Sequence, residues 1–288
     1  MRLIESRHVV DAYDALKHMD IVHDNTVVGP LYAWRFESLP VVTTNHGPFD
    51  DNLLALYRAA AGRVSIVAIS EHQASTASPV PVDAVIHHGI ELEAFPFGHG
   101  AGGYMLFLGR MTPEKGAREA ALAARAAGVR LVIAAKLREP AEHAYFDEHV
   151  RPLLSADIEY VGEVGHEEKL ALLAGAQALL NPIQWPEPFG LVMIEALACG
   201  TPVLAFPAGS APEIVRHTET GFLCQDLDTM VARIADIATV DRRRCRSAAR
   251  CRGTTPSLSW TLPNGPCTWC PNHGDLRRRG VVSTSTAS

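Results

Sequence analysis

Glu187-Pro188-Phe189-Gly190-Leu191-Val192-Met193-Ile194-Glu195-Ala196-Leu197-Ala198-Cys199-Gly200-Thr201-Pro202-Val203 is the stretch on which the reading of this chain turns. Its apolar run predicts a helix over 189–199, with Gly200 just past the end, where a left-handed cap is favoured. A strand is predicted over 202–206. Gly190 lets backbone come close where the helix begins. The amides of Gly190, Leu191 and Val192 are then unpaired helix N-terminal donors, which attract phosphate or developing negative charge. Glu187 lies in the loop before that end. Glu195, four residues after Leu191, shares its face of the helix. Two carboxylates thus bracket a row of amides, and carboxylates accept from sugar or ribose hydroxyls. Taken singly, the same residues also describe a plain capped helix with an exposed Glu.

Working outward, an α/β rhythm surrounds this stretch. Strands are predicted at 104–108, 130–135, 158–161, 178–180, 202–206 and 221–224. Helices are predicted at 112–127, 141–154, 166–174, 209–215 and 227–238. Alternation of this kind implies a parallel, doubly wound sheet, here a domain over 98–240. A Gly-rich break at 97–103 separates it from residues 1–97, where strands are predicted at 20–23, 39–44, 64–69 and 82–86 and helices at 9–19 and 51–61. The strands read as nearly continuous apolar runs, the mark of sheets covered on both faces.

A second constellation is Phe107-Leu108-Gly109-Arg110-Met111-Thr112-Pro113-Glu114-Lys115-Gly116. A strand delivers Gly109 and Arg110 to its carboxyl end, and a helix follows Lys115-Gly116. Arg and Lys converging there suit a diphosphate, whose charge must be offset. An Arg and a Lys five apart are also common on a solvated surface.

Together these segments closely resemble the family 4 glycosyltransferases of GT-B fold. The first matches their Glu-x7-Glu motif and the second their Gly-Arg…Lys-Gly pair. Gly209-Ser210-Ala211-Pro212-Glu213-Ile214-Val215 and Thr220-Gly221-Phe222-Leu223 match in order and spacing. The resemblance covers about residues 20–240. It implies two Rossmann-like domains facing a cleft and retaining transfer of a hexose from a nucleotide-diphosphate sugar to a hydroxyl acceptor, without a metal or other cofactor. It places Glu187 by the donor sugar, Glu195 on the ribose, and Arg110 and Lys115 on the diphosphate. Phe189, Gly190 and Leu191 would make backbone contacts to sugar and phosphate.

Thr43-Thr44-Asn45-His46-Gly47 resembles the family's Thr-x-His-Gly turn, which makes His46 the second catalytic candidate beside Glu187. Lys136, after the strand at 131–135, takes a nucleotide or phosphate contact by the same resemblance. Val164, after the next strand, takes a place in the base pocket. His88 and Glu91 stand where the family has Asn and Asp and receive no catalytic role. The Gly-rich loop that opens the family's first domain has no counterpart here, so the first domain is expected to be abbreviated. A non-catalytic nucleotide-sugar binder is the main alternative. A sugar-nucleotide epimerase of the same fold would need acid/base carboxylates for which no motif is seen.

Composition bounds the rest. The chain has 288 residues, 47% hydrophobic and 20% charged, enough to build a core. Its net charge of −6 gives no case for nucleic-acid binding. Residues 1–10 lack a secretory apolar region, no stretch reads as a membrane span, and six cysteines are too few for a disulfide scaffold. A cytoplasmic protein is expected. Association with a membrane surface finds no basic amphipathic helix in residues 1–97 to support it.

Residues 241–288 differ abruptly, with nine Arg, no Lys, two Asp and four of the six cysteines. They show no sustained period and are expected to be irregular and disordered. After about Ser247 the composition resembles a shifted reading frame. Cys267 and Cys270 with His273 make half a zinc site, and no second pair completes it.

Overall fold

The computed structural model describes residues 3–253 and the short strands Ser259–Leu262, Gly265–Thr268 and Ser283–Thr284, with side chains from residue 4 to residue 249. The chain divides into two compact units. One runs to His87 and takes in residues after 254. The other spans His88–Thr254.

The first unit holds α1 (Leu3–Leu16), β1 (Val22–Asp24), α2 (Gly29–Tyr32), β2 (Val41–Thr44), α3 (Asp51–Ala60), β3 (Ser65–Ala68), α4 (Glu71–Ser75) and β4 (Ala84–Val85). The four strands pair in parallel in the order β1-β2-β3-β4, and Ser283–Thr284 pairs beside β1. Asp50 caps α3 by accepting from the Leu53 amide, and Ser70 caps α4 by accepting from the Gln73 amide. Tyr13, Val22, Val41, Tyr57 and Ile66 form part of its core.

The second unit holds β5 (Met105–Arg110), α5 (Ala117–Ala127), β6 (Leu131–Lys136), α6 (Pro140–Tyr145), β7 (Ile158–Gly162), α7 (His166–Gly175), β8 (Ala178–Asn181), α8 (Leu191–Ala198), β9 (Val203–Ala205), α9 (Ala211–Ile214), β10 (Gly221–Leu223), α10 (Leu227–Ile234) and α11 (Arg242–Gly253). Six parallel strands lie in the order β10-β9-β8-β5-β6-β7. Every residue of β8 and β9 is buried, as expected of a sheet covered by helices on both faces. Both units are α/β, as the sequence predicts.

Three expectations change. The single helix expected over 141–154 is shorter. After α6 the chain widens into a π-turn at Phe146–Val150 and tightens to a 3-10 turn at Arg151–Leu153, where Pro152 lacks the amide that would continue the α-helical ladder. The division between units falls at residue 88 rather than 98. Leu92 and Phe95 are buried, and their carbonyls accept from Arg246 of the same unit.

The third change concerns the stretch expected to be irregular from 241. Residues 242–253 form α11, which packs on α8. Cys245, Ala248 and Ala249 face the core, and Arg242 reaches the carbonyls of Gly98, Ala174, Ala176 and Gln177. The Arg run is thus partly a set of donors to backbone carbonyls, which the hydropathy of the segment conceals. The side chains of the half zinc site of Cys267, Cys270 and His273 lie outside the described residues. So does most of the stretch read as frame-shifted.

Candidate functional site

In the second unit the winding of the sheet reverses between β8 and β5. Loops leaving the carboxyl ends of those two strands turn to opposite faces, and the crevice between them is where such sheets bind ligands. β5 ends in Gly109-Arg110 and β8 in Asn181. The loop after β5 carries Lys115, and the loop after β8 carries Trp185, Glu187 and Phe189 into the start of α8.

The two loops are tied together. The Gln184 amide donates to the Glu114 carbonyl at 2.9 Å. Gly116 has φ +82°, and a Cβ there would collide with the Pro182 carbonyl oxygen. From the other side, the Ser210 amide donates to the Glu187 carbonyl at 3.0 Å and the Ser210 hydroxyl donates to the Phe189 carbonyl. The 182–190 loop is therefore held by its neighbours on both sides.

Within this frame the charged groups pair. Lys115 Nζ forms an ion pair with Glu187 Oε2, the side chains 24% and 16% exposed. The Trp185 indole N–H donates to the same oxygen at 2.8 Å, and the Lys115 ammonium sits 5.1 Å from the Trp185 ring centroid. Glu195 on α8 meets Lys169 of α7, Nζ to Oε1 2.7 Å. Arg110 is more than half exposed and lies 3.9 Å from Glu142 Oε1. Glu142 in turn accepts from the Arg138 and Glu139 amides at 2.7 and 3.1 Å, and the Arg138 amide is the main reason its carboxyl lies below the usual range.

A cavity of about 220 Å³ opens beside these residues, lined among others by Gly109, Lys136, Val164, Lys169, Val192 and Glu195. Lys136 and Arg110 are register neighbours at the ends of β6 and β5. Gly190 takes the left-handed conformation at the N-cap of α8, with φ +81° and ψ +60°. Leu191 is half exposed. The Phe189 side chain is buried, its ring edge-on to His88 at 5.0 Å, so only its backbone faces the crevice.

The second unit thus assembles Arg110, Lys115, Lys136, Val164, Glu187, Phe189, Gly190, Leu191 and Glu195. Lys169, Trp185, Glu142 and Ser210 are the partners that sequence reading did not assign. Trp185 stands two residues before Glu187 and could have been noticed there. Lys169 lies 26 residues from Glu195 and nothing but the fold joins them.

His46 belongs to the first unit. It follows β2, and its Nε2 lies 2.8 Å from Asn25 Oδ1 in the turn after β1. Gln73 fixes the same turn from β3's side, donating to the carbonyls of Asn45 and Gly47 at 3.0 and 2.6 Å. Burial and the neighbouring His23 push the His46 pKa down from its ordinary 6.5. Among the described residues no helix is long and apolar enough to cross a membrane.

Residues 95–252 match the family described as glycosyl transferases group 1, so the match runs past Ser247 through nearly all of α11. Glycogen synthase of Mycobacterium tuberculosis is 31% identical over 178 residues, 57% of this chain and 42% of that protein. D-inositol 3-phosphate glycosyltransferase of Streptomyces scabiei is 39% identical over 99 residues, 34% of this chain and 22% of that protein. The chain therefore spans less than half the length of these curated relatives. Among solved structures, Anabaena HepE in complex with UDP and glucose superposes with a TM-score of 0.70 at 20% identity, over 85% of this chain and 76% of that one. The fold is accordingly of the GT-B type, built from Rossmann-like α/β domains. With more than half of its residues inside the family match, the chain belongs to the glycosyl transferases group 1.

Proposed function

We propose that this chain is a family 4 glycosyltransferase that moves a hexose from a nucleoside-diphosphate sugar to a hydroxyl acceptor with retention of anomeric configuration. The observation that carries the reading is the placement of Glu187 just before α8, paired with Lys115, of Glu195 on α8, and of Arg110 at the end of β5, at the point where the sheet reverses. Ligands of doubly wound sheets bind there. The names of the relatives, a glycogen synthase and an inositol phosphate glycosyltransferase, and the UDP held by HepE support the same substrate class.

In this account Arg110, Lys115 and the amides of Gly190 and Leu191 hold the diphosphate and offset its charge, the work a metal does elsewhere. Glu195 accepts from the ribose hydroxyls. Lys136 and Val164 border the nucleoside. Glu187 orients the hexose, and a catalytic role for His46 is proposed from its place in the turn after β2. The bond from the anomeric carbon to the diphosphate oxygen breaks as the acceptor oxygen bonds the same face of that carbon. The acceptor's proton passes to the departing diphosphate.

The test is transfer from UDP-glucose, GDP-mannose or ADP-glucose to simple hydroxyl acceptors, with the product anomer read by NMR. The reading expects an α-linked product from an α-linked donor, and a loss of about 10²–10³ in rate for Glu187→Ala. A β-linked product contradicts retention. Donor binding without turnover favours the non-catalytic binder instead.

A further inference from the structure

The Lys115–Glu187 ion pair poses a problem for the function proposed above. A diphosphate competes with the Glu187 carboxylate for the three N–H donors of the Lys115 ammonium. Hexose hydroxyls compete with that ammonium for the Glu187 oxygens, of which Oε2 is already held. In the structure the two groups pair with each other.

One side chain touches both. The Trp185 N–H, in the plane of the ring, donates to Glu187 Oε2 at 2.8 Å, while the face of the same ring lies under the Lys115 ammonium at 5.1 Å. An indole N–H only donates, so it binds the carboxylate and has nothing to offer the ammonium. The π face is negative and attracts the cation alone. The two contacts use different parts of the ring, and neither requires the ion pair to be closed. Pro182, Pro186 and the Gln184–Glu114 bond restrict the backbone that carries the indole.

We propose that Trp185 is a positioning residue for the reacting end of the donor. It keeps Glu187 and Lys115 in place while the donor exchanges their mutual ion pair for contacts to its hexose and its diphosphate. The inference rests on the donor reading given above. It makes the two halves of the donor depend on the edge and the face of one ring.

The experiment is calorimetric titration of the whole chain with UDP and UDP-glucose, and with GDP and GDP-mannose, comparing the wild type with Trp185→Phe. The Phe ring keeps a π face and loses the N–H. Affinity for the bare nucleoside diphosphate should stay within about threefold, the difference between Trp and Phe as cation acceptors. The extra affinity conferred by the sugar should fall about tenfold, the worth of a hydrogen bond to a charged group. Trp185→Tyr, with a donor back on the ring, should recover part of that loss, and it serves as the second variant should Trp185→Phe fold poorly. Equal losses for diphosphate and sugar conjugate, tracking a lowered unfolding midpoint, would make Trp185 merely structural and overturn the proposal. Wild-type affinities in both variants overturn it too and leave the donor reading standing. A folded wild type that binds none of the four ligands overturns the donor reading itself.

Discussion

Lys169 on α7 and Glu195 on α8 face each other across 2.7 Å, with 23% and 18% of their side chains exposed, at the wall of the cavity beside β5 and β6. The pair fixes the carboxylate that the account assigns to the ribose. Lys169→Met removes the cation and frees Glu195 to turn away. A partly covered pair of this kind contributes about 1 kcal/mol or less to folding. The urea midpoint should therefore move little, while affinity for a nucleoside diphosphate falls about tenfold, the worth of a charged contact. Unchanged affinity in a calorimetric titration would remove Lys169 from the site.

Two glycines at the site should respond differently to alanine. Gly190 and Gly116 both hold left-handed backbone, so each substitution costs about 1–2 kcal/mol of strain. At Gly190 a Cβ meets the mobile end of Met193, which can shift. At Gly116 it meets the Pro182 backbone oxygen, which cannot move without parting the two loops. Gly116→Ala should lose about 3 kcal/mol or more and weaken diphosphate binding as well. Gly190→Ala should lose only the strain. Urea unfolding of both variants checks the order, and an inverted order would contradict the packing described.

Arg242 shows why α11 belongs with the second unit. Its guanidinium donates to four carbonyls and, at 2.7 Å, to the Thr201 hydroxyl. Arg242→Met removes the donor from the buried carbonyls of Gly98 and Ala176, while the Ala174 oxygen keeps the Gly100 amide and Gln177 is exposed. The expected loss is about 2 kcal/mol or more, since each orphaned buried acceptor costs about 1 or more. A chain ended just before α11 should likewise expose the face of α8. If Arg242→Met unfolds with the wild-type midpoint, α11 does not hold the unit.

His46 makes the stability of the first unit depend on pH. Burial lowers its pKa below the ordinary 6.5, and burial lowers His23 in the same way against the opposing charge of Asp24. Below that ordinary value the unfolded chain binds more protons than the folded one. Stability is therefore complete above it and falls as the pH drops from there through the lowered folded values. His46→Gln keeps a polar group toward Asn25 and does not titrate, so its stability should fall less steeply. Urea unfolding from about pH 8 to about pH 5 reads this, and identical slopes would contradict it.

Much of this was open to reading because the chemistry is local in the chain. Glu187, Gly190 and Glu195 sit within one loop and one helix, and Arg110 and Lys115 within one strand and its turn. Apolar strands such as Leu131–Lys136 announce a sheet covered on both faces. What stayed hidden depends on long-range contact. Lys169 meets Glu195 only because α7 and α8 flank the same strand end. The helix Arg242–Gly253 was masked by its own arginines, since hydropathy counts Arg242 and Arg246 as solvent-facing while their donors are spent on buried carbonyls. The boundary at residue 88 was missed for a similar reason. The 97–103 glycines look like a linker, yet Gly98 lies against the Ala174 backbone, and its amide donates to the Cys199 carbonyl at 2.9 Å.

The most direct test of the central claim is calorimetric binding of UDP, GDP and ADP, and of their glucose or mannose conjugates, to the whole chain and to Glu195→Ala. The account predicts one preferred base, added affinity from the sugar, and a loss of about tenfold or more in the variant. A folded wild type that binds none of them, or a variant that binds as well as the wild type, would contradict it.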